Sequence, residues 1–346
     1  MPSNTFYFFF LFSIGCTPTI IYVAIVNHFY SFIYYLFSYI FLLSYCRMET
    51  VRPCGCKGIR TCLICEKEYG LSRAKITENL KNTYVYCPKC DKAWPGWDLE
   101  MNKHPEHVGE SIEYPGVYIE PDFLSKGEAS SLIKDLDALP WDLSQSGRRK
   151  QNYGPKCNFK KRRLRLGDFS GFPAPTRFVQ EKFSAVPILK GFRTIEQCSL
   201  EYNPERGASI DPHIDDCWIW GERIVTVNVI GDSVLTMTPY KDSLKRYNLL
   251  DVPTYPPVVQ STRDSIKAKI DLDGIDNAVI RLPMPERSLM VLYGAARYDW
   301  EHAVLREDVS SRRVCIAYRE MTPPYLPDGQ RYEEASQILE NARIFW

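Results

Sequence analysis

Between Ser125 and Pro140 the apolar positions fall at helical spacing: Ala129, Leu132, Ile133, Leu136 and Leu139 recur every three or four residues. Ser125-Lys126-Gly127-Glu128 in front of them reads as a capping box, in which the Ser and Glu side chains each take up a free backbone N–H. Pro140 supplies the stop, so the pattern predicts one amphipathic helix lying on a sheet. Val117-Tyr118-Ile119 just before it reads as a short strand. From about Ile195 the period shortens into strand-like runs, 195–200, 224–230, 288–293 and 314–318, with Asn203-Pro204 and Gly231-Asp232 among the turns between them. The polar stretch from about Tyr240 to Arg281 looks like an insertion between core strands, and Tyr332 to Phe345 looks like a terminal helix. Repeated strand–helix units and internal repeats are not found. The expected fold is mostly β, a jelly roll or double-stranded β-helix with supporting helices.

The 346 residues allow one large domain plus a small one. Formal net charge is +1, so charge as a whole points to no partner, and a nucleic-acid contact would need a local patch. Six of the twelve cysteines lie between Cys54 and Cys90, a pattern that suits metal binding in a reducing compartment better than a disulfide framework. The expected organisation is a hydrophobic segment over 1–47, a cysteine-rich module over 48–110, the main domain over 111–325 and a C-terminal helix over 326–346. Residues 1–46 carry no Asp, Glu, Lys or Arg and have room for a membrane span. Met48 followed by ordinary soluble composition favours the other reading, a gene-model artefact with translation starting at Met48. Membrane association is expected only if residues 1–47 are genuine; otherwise we expect a monomer of cytoplasm and nucleus.

His213-Ile214-Asp215, the later His302, and Arg313 and Arg319 carry the candidate chemistry. Residues two apart on a strand face one side, so His213 and Asp215 can point together, and His302 can join them from another strand. Two imidazoles and a carboxylate with open positions make a non-haem iron face. Arg313 and Arg319 differ by six, so both can face the same side of a strand, where a guanidinium fork matches a carboxylate.

The ordered set His-x-Asp, later His and Arg-x5-Arg resembles the AlkB-like Fe(II)/2-oxoglutarate-dependent dioxygenases, over about residues 113 to 320. The turn at Tyr202-Asn203-Pro204 and the run Gly294-Ala295-Ala296-Arg297 before His302 are similar to that family as well. Residues 54–65, 144–156 and 218–223 resemble the fourth animal branch of the family. The resemblance implies that His213, Asp215 and His302 bind Fe(II), and that Arg313 and Tyr202 hold 2-oxoglutarate with Arg319 near its keto-acid end or the substrate mouth. It implies oxidation of an N-methyl group with molecular oxygen. For that branch it implies monomethyl-lysine on actin as substrate, with effects on the actomyosin machinery and cytokinesis. N6-methyladenine in DNA is the alternative substrate, and a non-catalytic scaffold the alternative class. Two positions depart from the family: Leu200 stands where a polar residue often contacts co-substrate, and Cys217 where base-repairing members carry an acid.

Nine Lys or Arg lie between Arg148 and Arg165, with Tyr153 and Phe159 among them. Such a run can track phosphates, meet an acidic protein surface or act as a nuclear import signal. We read Arg148, Arg149, Lys150 and Tyr153, together with Cys217, as substrate-facing. For a zinc ion, two thiolate sets stay open: Cys54, Cys56, Cys62 and Cys65, which we favour, or the pair Cys62 and Cys65 completed by Cys87 and Cys90.

Overall fold

The computed structural model describes residues 12–14, 17–19, 52–57, 60–72, 82–99, 104–259 and 278–346. The chain divides into two units, Met1–Val51 and Arg52–Trp346. In the first, β1 (Phe12–Ile14) pairs antiparallel with β2 (Thr17–Thr19). The rest of the hydrophobic segment, and with it the choice between anchor and artefact, lies outside the described residues. Among the described residues no helix is long and apolar enough to cross a membrane.

The second unit opens with helix α1 (Leu63–Tyr69) and three strands, β3 (Asn82–Cys87), β4 (Lys92–Pro95) and β5 (Ile112–Glu113). Next come β6 (Val117–Glu120), α2 (Lys126–Asp137), β7 (Asp142–Leu143) and β8 (Arg149–Tyr153). The hairpin strands β9 (Lys156–Asn158) and β10 (Arg163–Arg165) and helix α3 (Arg177–Lys182) follow. The central strands are β11 (Glu196–Tyr202), β12 (Ile210–His213), β13 (Trp220–Ile230) and β14 (Ser233–Pro239). After the insertion come β15 (Ala278–Met284), β16 (Leu289–Leu292), α4 (Gly294–Tyr298), β17 (Trp300–Val304), β18 (Arg313–Met321) and α5 (Tyr332–Asn341). They build two seven-stranded sheets, β6-β16-β13-β18-β11-β8-β7 and β12-β17-β14-β15-β3-β4-β5. The result is the expected mostly-β jelly roll.

Alternation along the first sheet sorts its two faces. Val225, Val227 and Val229 of β13 and Val314, Ile316 and Tyr318 of β18 pack outward against Ala129, Leu132 and Leu136 of α2. The residues between them, such as Ile224 and Cys315, join the core on the opposite face. The capping box forms as read: Glu128 N donates to Ser125 Oγ (3.2 Å) and Ser125 N to Glu128 Oε2 (2.7 Å). At the other end the carbonyls of Leu136 and Leu139 accept from Gln151 Nε2 (2.8 and 3.2 Å), so β8 covers the end of the helix before Pro140 is reached.

Three boundaries move. Residues 82–95, expected inside a separate cysteine-rich module over 48–110, instead extend the second sheet: β3 pairs in parallel with β15, β4 adds outside it, and β5 of the main domain pairs with β4. The insertion ends before Ala278, because Arg281 belongs to β15 and is buried. Its guanidinium makes a fork with Asp308 (2.8 and 2.7 Å) and lies 4.0 Å from the Trp97 ring centroid. That pairing lets a charged residue occupy an otherwise apolar core strand. The terminal helix stops at Asn341, and Phe345 bridges to Phe172.

Candidate active site

His213 and His302 are direct cross-strand partners on β12 and β17, with ring centroids 4.2 Å apart. His213 Nδ1 lies 2.9 Å from the Asp211 carbonyl, which can only accept, so Nδ1 carries the proton and Nε2 keeps its lone pair. Burial lowers the pKa of both imidazoles, which favours the neutral form a metal needs. Strand β12 ends at His213, so alternation does not place Asp215. A turn does. Asp216 Oδ1 accepts from Asn248 Nδ2 (2.7 Å), Cys217 N donates to Tyr247 O (2.8 Å), and Tyr255 Oη donates to Cys217 O (3.2 Å). The insertion therefore shapes the loop that carries the carboxylate.

Asp215 is buried, with Oδ1 3.0 Å from Arg319 Nη2. Burial alone would raise its pKa, but the charges of Arg319, the two histidines and Arg297 together outweigh that and hold the carboxyl well below the ordinary range. Among the described residues, two groups of metal-ligating side chains have all donor atoms within 4.8 Å of one another, and this triad is not one of them. Asp215 instead faces the guanidinium.

Alternation does place the arginines. Tyr202 lies opposite Arg313 and Glu196 opposite Arg319 across β11 and β18. Arg319 Nη1 also reaches Glu196 Oε2 at 2.5 Å. Arg313 is 1% exposed; its Nε donates to Asn228 Oδ1 (2.8 Å), and its guanidinium carbon lies 4.8 Å from the Tyr202 ring centroid. Arg148 approaches the same ring at 5.9 Å. Arg313 Nη1, Arg319 Nε and Asp215 Oδ2 are buried with no hydrogen-bond partner among the described residues. Buried charged groups left unsatisfied are costly; here the two arginines share the inward face of β18, Asp215 meets Arg319 from its turn, and the two histidines pair on the other sheet. That arrangement fits a cation bound by the imidazoles and Asp215, and an anion bound by Arg313.

Two contributors had no site role assigned from the sequence, although Arg297 stands in the run that resembles the family. Asn228 Nδ2 donates to the Gly231, Met284 and Pro285 carbonyls (2.8, 2.9 and 3.0 Å), which fixes the oxygen that holds Arg313. Arg297, buried on α4, bonds the Trp220 carbonyl (3.2 Å) and adds positive potential at Asp215. Only the inward alternation of β13 could have marked Asn228.

The residues read as substrate-facing separate. Arg148 is buried beside Tyr202, Lys150 is half-buried opposite Leu200, and Tyr153 packs edge-on against Trp346. Arg149 points to the other face and forks onto Glu201 (2.5 and 2.6 Å), so it is not substrate-facing. Cys217 is 0% exposed among Ile214, Leu249 and Tyr298, and burial pushes its thiol up to about 11. It does not face a substrate either, because the turn folds it under the insertion. The exposed part of the basic run is the β9–β10 hairpin, with Lys160, Lys161, Arg163 and Arg165 around Phe159.

Cys54, Cys56, Cys62 and Cys65 form one tight cluster, all buried. Cys56 Sγ accepts from Ser146 N (3.2 Å) and Cys65 Sγ from Arg52 Nη1 (3.5 Å). The set that joined Cys62 and Cys65 to Cys87 and Cys90 is not assembled, because the latter two sit on β3 and its following turn beside His104 and His107.

No protein-family model matches the chain. It is 39% identical over 298 residues to the alpha-ketoglutarate-dependent dioxygenase alkB homolog 4 of Homo sapiens, covering 86% of this chain and 95% of that protein. The mouse protein of the same name is 38% identical over 303 residues, covering 86% and 96%. A Caenorhabditis elegans protein described as a DNA N6-methyl adenine demethylase is 30% identical over 300 residues, covering 82% and 91%.

Proposed function

The chain belongs to the AlkB-like 2-oxoglutarate-dependent dioxygenases, and from that premise we propose that it removes an N-methyl group from monomethyl-lysine in actin. The observation that carries the site reading is the shared inward face of β11 and β18, where Tyr202 and Arg313 meet beside Arg319, with Asp215 and the histidine pair adjoining. His213, through Nε2, with Asp215 and His302 would hold Fe(II), and Arg313 with Tyr202 would hold the distal carboxylate of 2-oxoglutarate.

When bound, iron and 2-oxoglutarate supply the oxidation: oxygen and 2-oxoglutarate become succinate and carbon dioxide as one methyl C–H becomes C–OH. The N-hydroxymethyl product then breaks its C–N bond, giving formaldehyde and the demethylated amine. The chain's own residues bind and orient. Asn228 fixes the Arg313 fork, Arg319 keeps Asp215 ionised, and the Asp211 carbonyl sets the His213 tautomer. The actin assignment rests on likeness to the fourth animal branch, and the exposed basic β9–β10 hairpin suits an acidic protein surface. Zinc in the Cys54 cluster would be structural, since its thiols are buried and their sulfurs accept from Ser146 N and Arg52 Nη1.

N6-methyladenine in DNA is the second reading, favoured by the Caenorhabditis elegans relative and by the exposed Phe159 within that basic hairpin. The test offers the purified protein methylated actin and methyladenine DNA in parallel, with Fe(II) and 2-oxoglutarate. Formaldehyde from actin alone supports the proposal, and release from DNA alone transfers it to the second reading. Equal turnover by Asp215→Ala would remove the proposed iron site.

A further inference from the structure

We propose a second structural zinc site, made by Cys87, Cys90, His104 and His107 at the outer end of the second sheet. The four donor atoms all lie within 4.8 Å of one another. Cys90 Sγ is 3.1 Å from His104 Nδ1 and 3.3 Å from His107 Nε2, and Cys87 Sγ is 4.0 Å from His104 Nδ1. Tetrahedral zinc with Zn–S about 2.3 Å and Zn–N about 2.0–2.1 Å requires donor–donor edges of about 3.4–3.8 Å. The observed distances bracket that range, so small shifts would admit the ion.

The backbone supports the thiol pair. Cys90 N and Asp91 N both donate to Cys87 O (3.2 and 2.9 Å), with Asp91 in the left-handed region at φ 57°. This turn brings two sulfurs of a Cys-x2-Cys pair to one side. Asp91 is held in place by the Tyr86 hydroxyl, which donates to its carboxylate. On the opposite side His107 stacks on Trp94 of β4, with ring centroids 4.4 Å apart and planes at 13°. Both halves of the site therefore rest on the β3–β4 hairpin.

The two cysteine clusters differ in charge. Four thiolates around zinc leave a net charge of −2, which matches the donors on the Cys54 cluster from Arg52 and Ser146. Two thiolates and two neutral imidazoles leave no net charge, so this site can sit half-buried without a compensating cation. Its work is closure. Residues 104–107 come after Trp97, which lies over the buried Arg281 of β15, so the ion would tie the arm that follows Trp97 back onto the β3–β4 hairpin. A segment with few apolar side chains gains from such a clip.

The test measures zinc on the full-length protein, purified under reducing conditions. Wild type should carry about two equivalents, and Cys90→Ser with His107→Ala about one. Cys62→Ser should also lose about one, through the other cluster. Removal of this site should expose the arm near Trp97 to protease while the rest of the chain stays resistant. A His104→Cys variant retains four donors, so it should keep its metal and gain thiolate-to-metal charge-transfer intensity with cobalt. Should the double variant not fold, the His104→Cys cobalt spectrum alone decides. Unchanged zinc in the double variant, or an unchanged cobalt spectrum in His104→Cys, would overturn the proposal.

Discussion

Replacing Arg313 by Lys keeps the charge and removes the fork. In the structure the Arg313 guanidinium has Nε fixed by Asn228 (2.8 Å) and Nη2 against the Met284 sulfur (3.5 Å), while Nη1 is buried with no hydrogen-bond partner among the described residues. The free edge is therefore built for an anion. A lysine offers a point charge that cannot present two parallel N–H bonds and cannot also satisfy Asn228. Hydrogen bonds to charged groups contribute about 1.5–3 kcal/mol. At about 1.4 kcal/mol per tenfold, 2-oxoglutarate should bind about 10- to 150-fold more weakly. Calorimetry with Mn(II) in place of iron reads binding without turnover. Saturating 2-oxoglutarate should raise the melting temperature of wild type and do so much less in the variant, which separates lost binding from lost folding. Unchanged 2-oxoglutarate affinity in a folded Arg313→Lys protein would refute the assignment.

Acid stability should depend on Glu201, which is 1% exposed and bound by Arg149, Arg206 and Arg312. Burial opposes ionisation, but the three guanidiniums win and hold its pKa at about 2 against an ordinary 4.5. A depressed carboxyl stabilises above its unfolded pKa and loses that as pH falls, so about 3 kcal/mol should disappear between about pH 4.5 and 2. In Glu201→Gln, denaturant titrations across that window should be flatter and the neutral-pH stability lower; an unchanged slope would contradict the network. Gly147→Ala should destabilise by about 1–3 kcal/mol, because Gly147 has φ +75° and an added Cβ would lie 2.5 Å from the Arg206 carbonyl. A melting temperature within error of wild type would show that the turn can relax.

The elements that were legible in sequence are those whose burial is one-sided. Strands β11, β13 and β18 alternate between a face on α2 and a face on the site, and α2 carries its own cap and apolar stripe. For that reason the pairing of Arg313 with Arg319 on one face could be read from a separation of six. Strands β3 to β5 were illegible because β15, the partner of β3, lies far along the chain, and β4, of Lys, Ala, Trp and Pro, is too short to show alternation. Asp215 was placed by the right neighbours for the wrong reason: the turn that aims it is fastened by Tyr247, Asn248 and Tyr255 of the insertion. His104 and His107 stand 14 and 17 residues beyond Cys90, in a stretch without periodicity, so only the fold brings them to the thiols.

The Cys54 cluster and the candidate active site share one strut. Ser146 N donates to Cys56 Sγ (3.2 Å), and Ser146 O accepts from Ser209 N (3.0 Å), the residue before β12. Two residues past Ser146, Arg148 approaches Tyr202, and Gly147 O accepts from Arg206 Nε (2.9 Å). Glu66 of α1 forks onto Arg306 (2.9 and 2.6 Å), just after β17 and its His302. The cluster thus touches the approaches to both histidine strands and to the tyrosine, yet offers no direct sulfur contact to the site residues among the described bonds. A redox partner would need such contact or exposure, whereas a clamp needs only these bonds. Loss of metal there should therefore loosen substrate and co-substrate binding through β12 and Arg148, with the chemistry of the site's own groups unchanged.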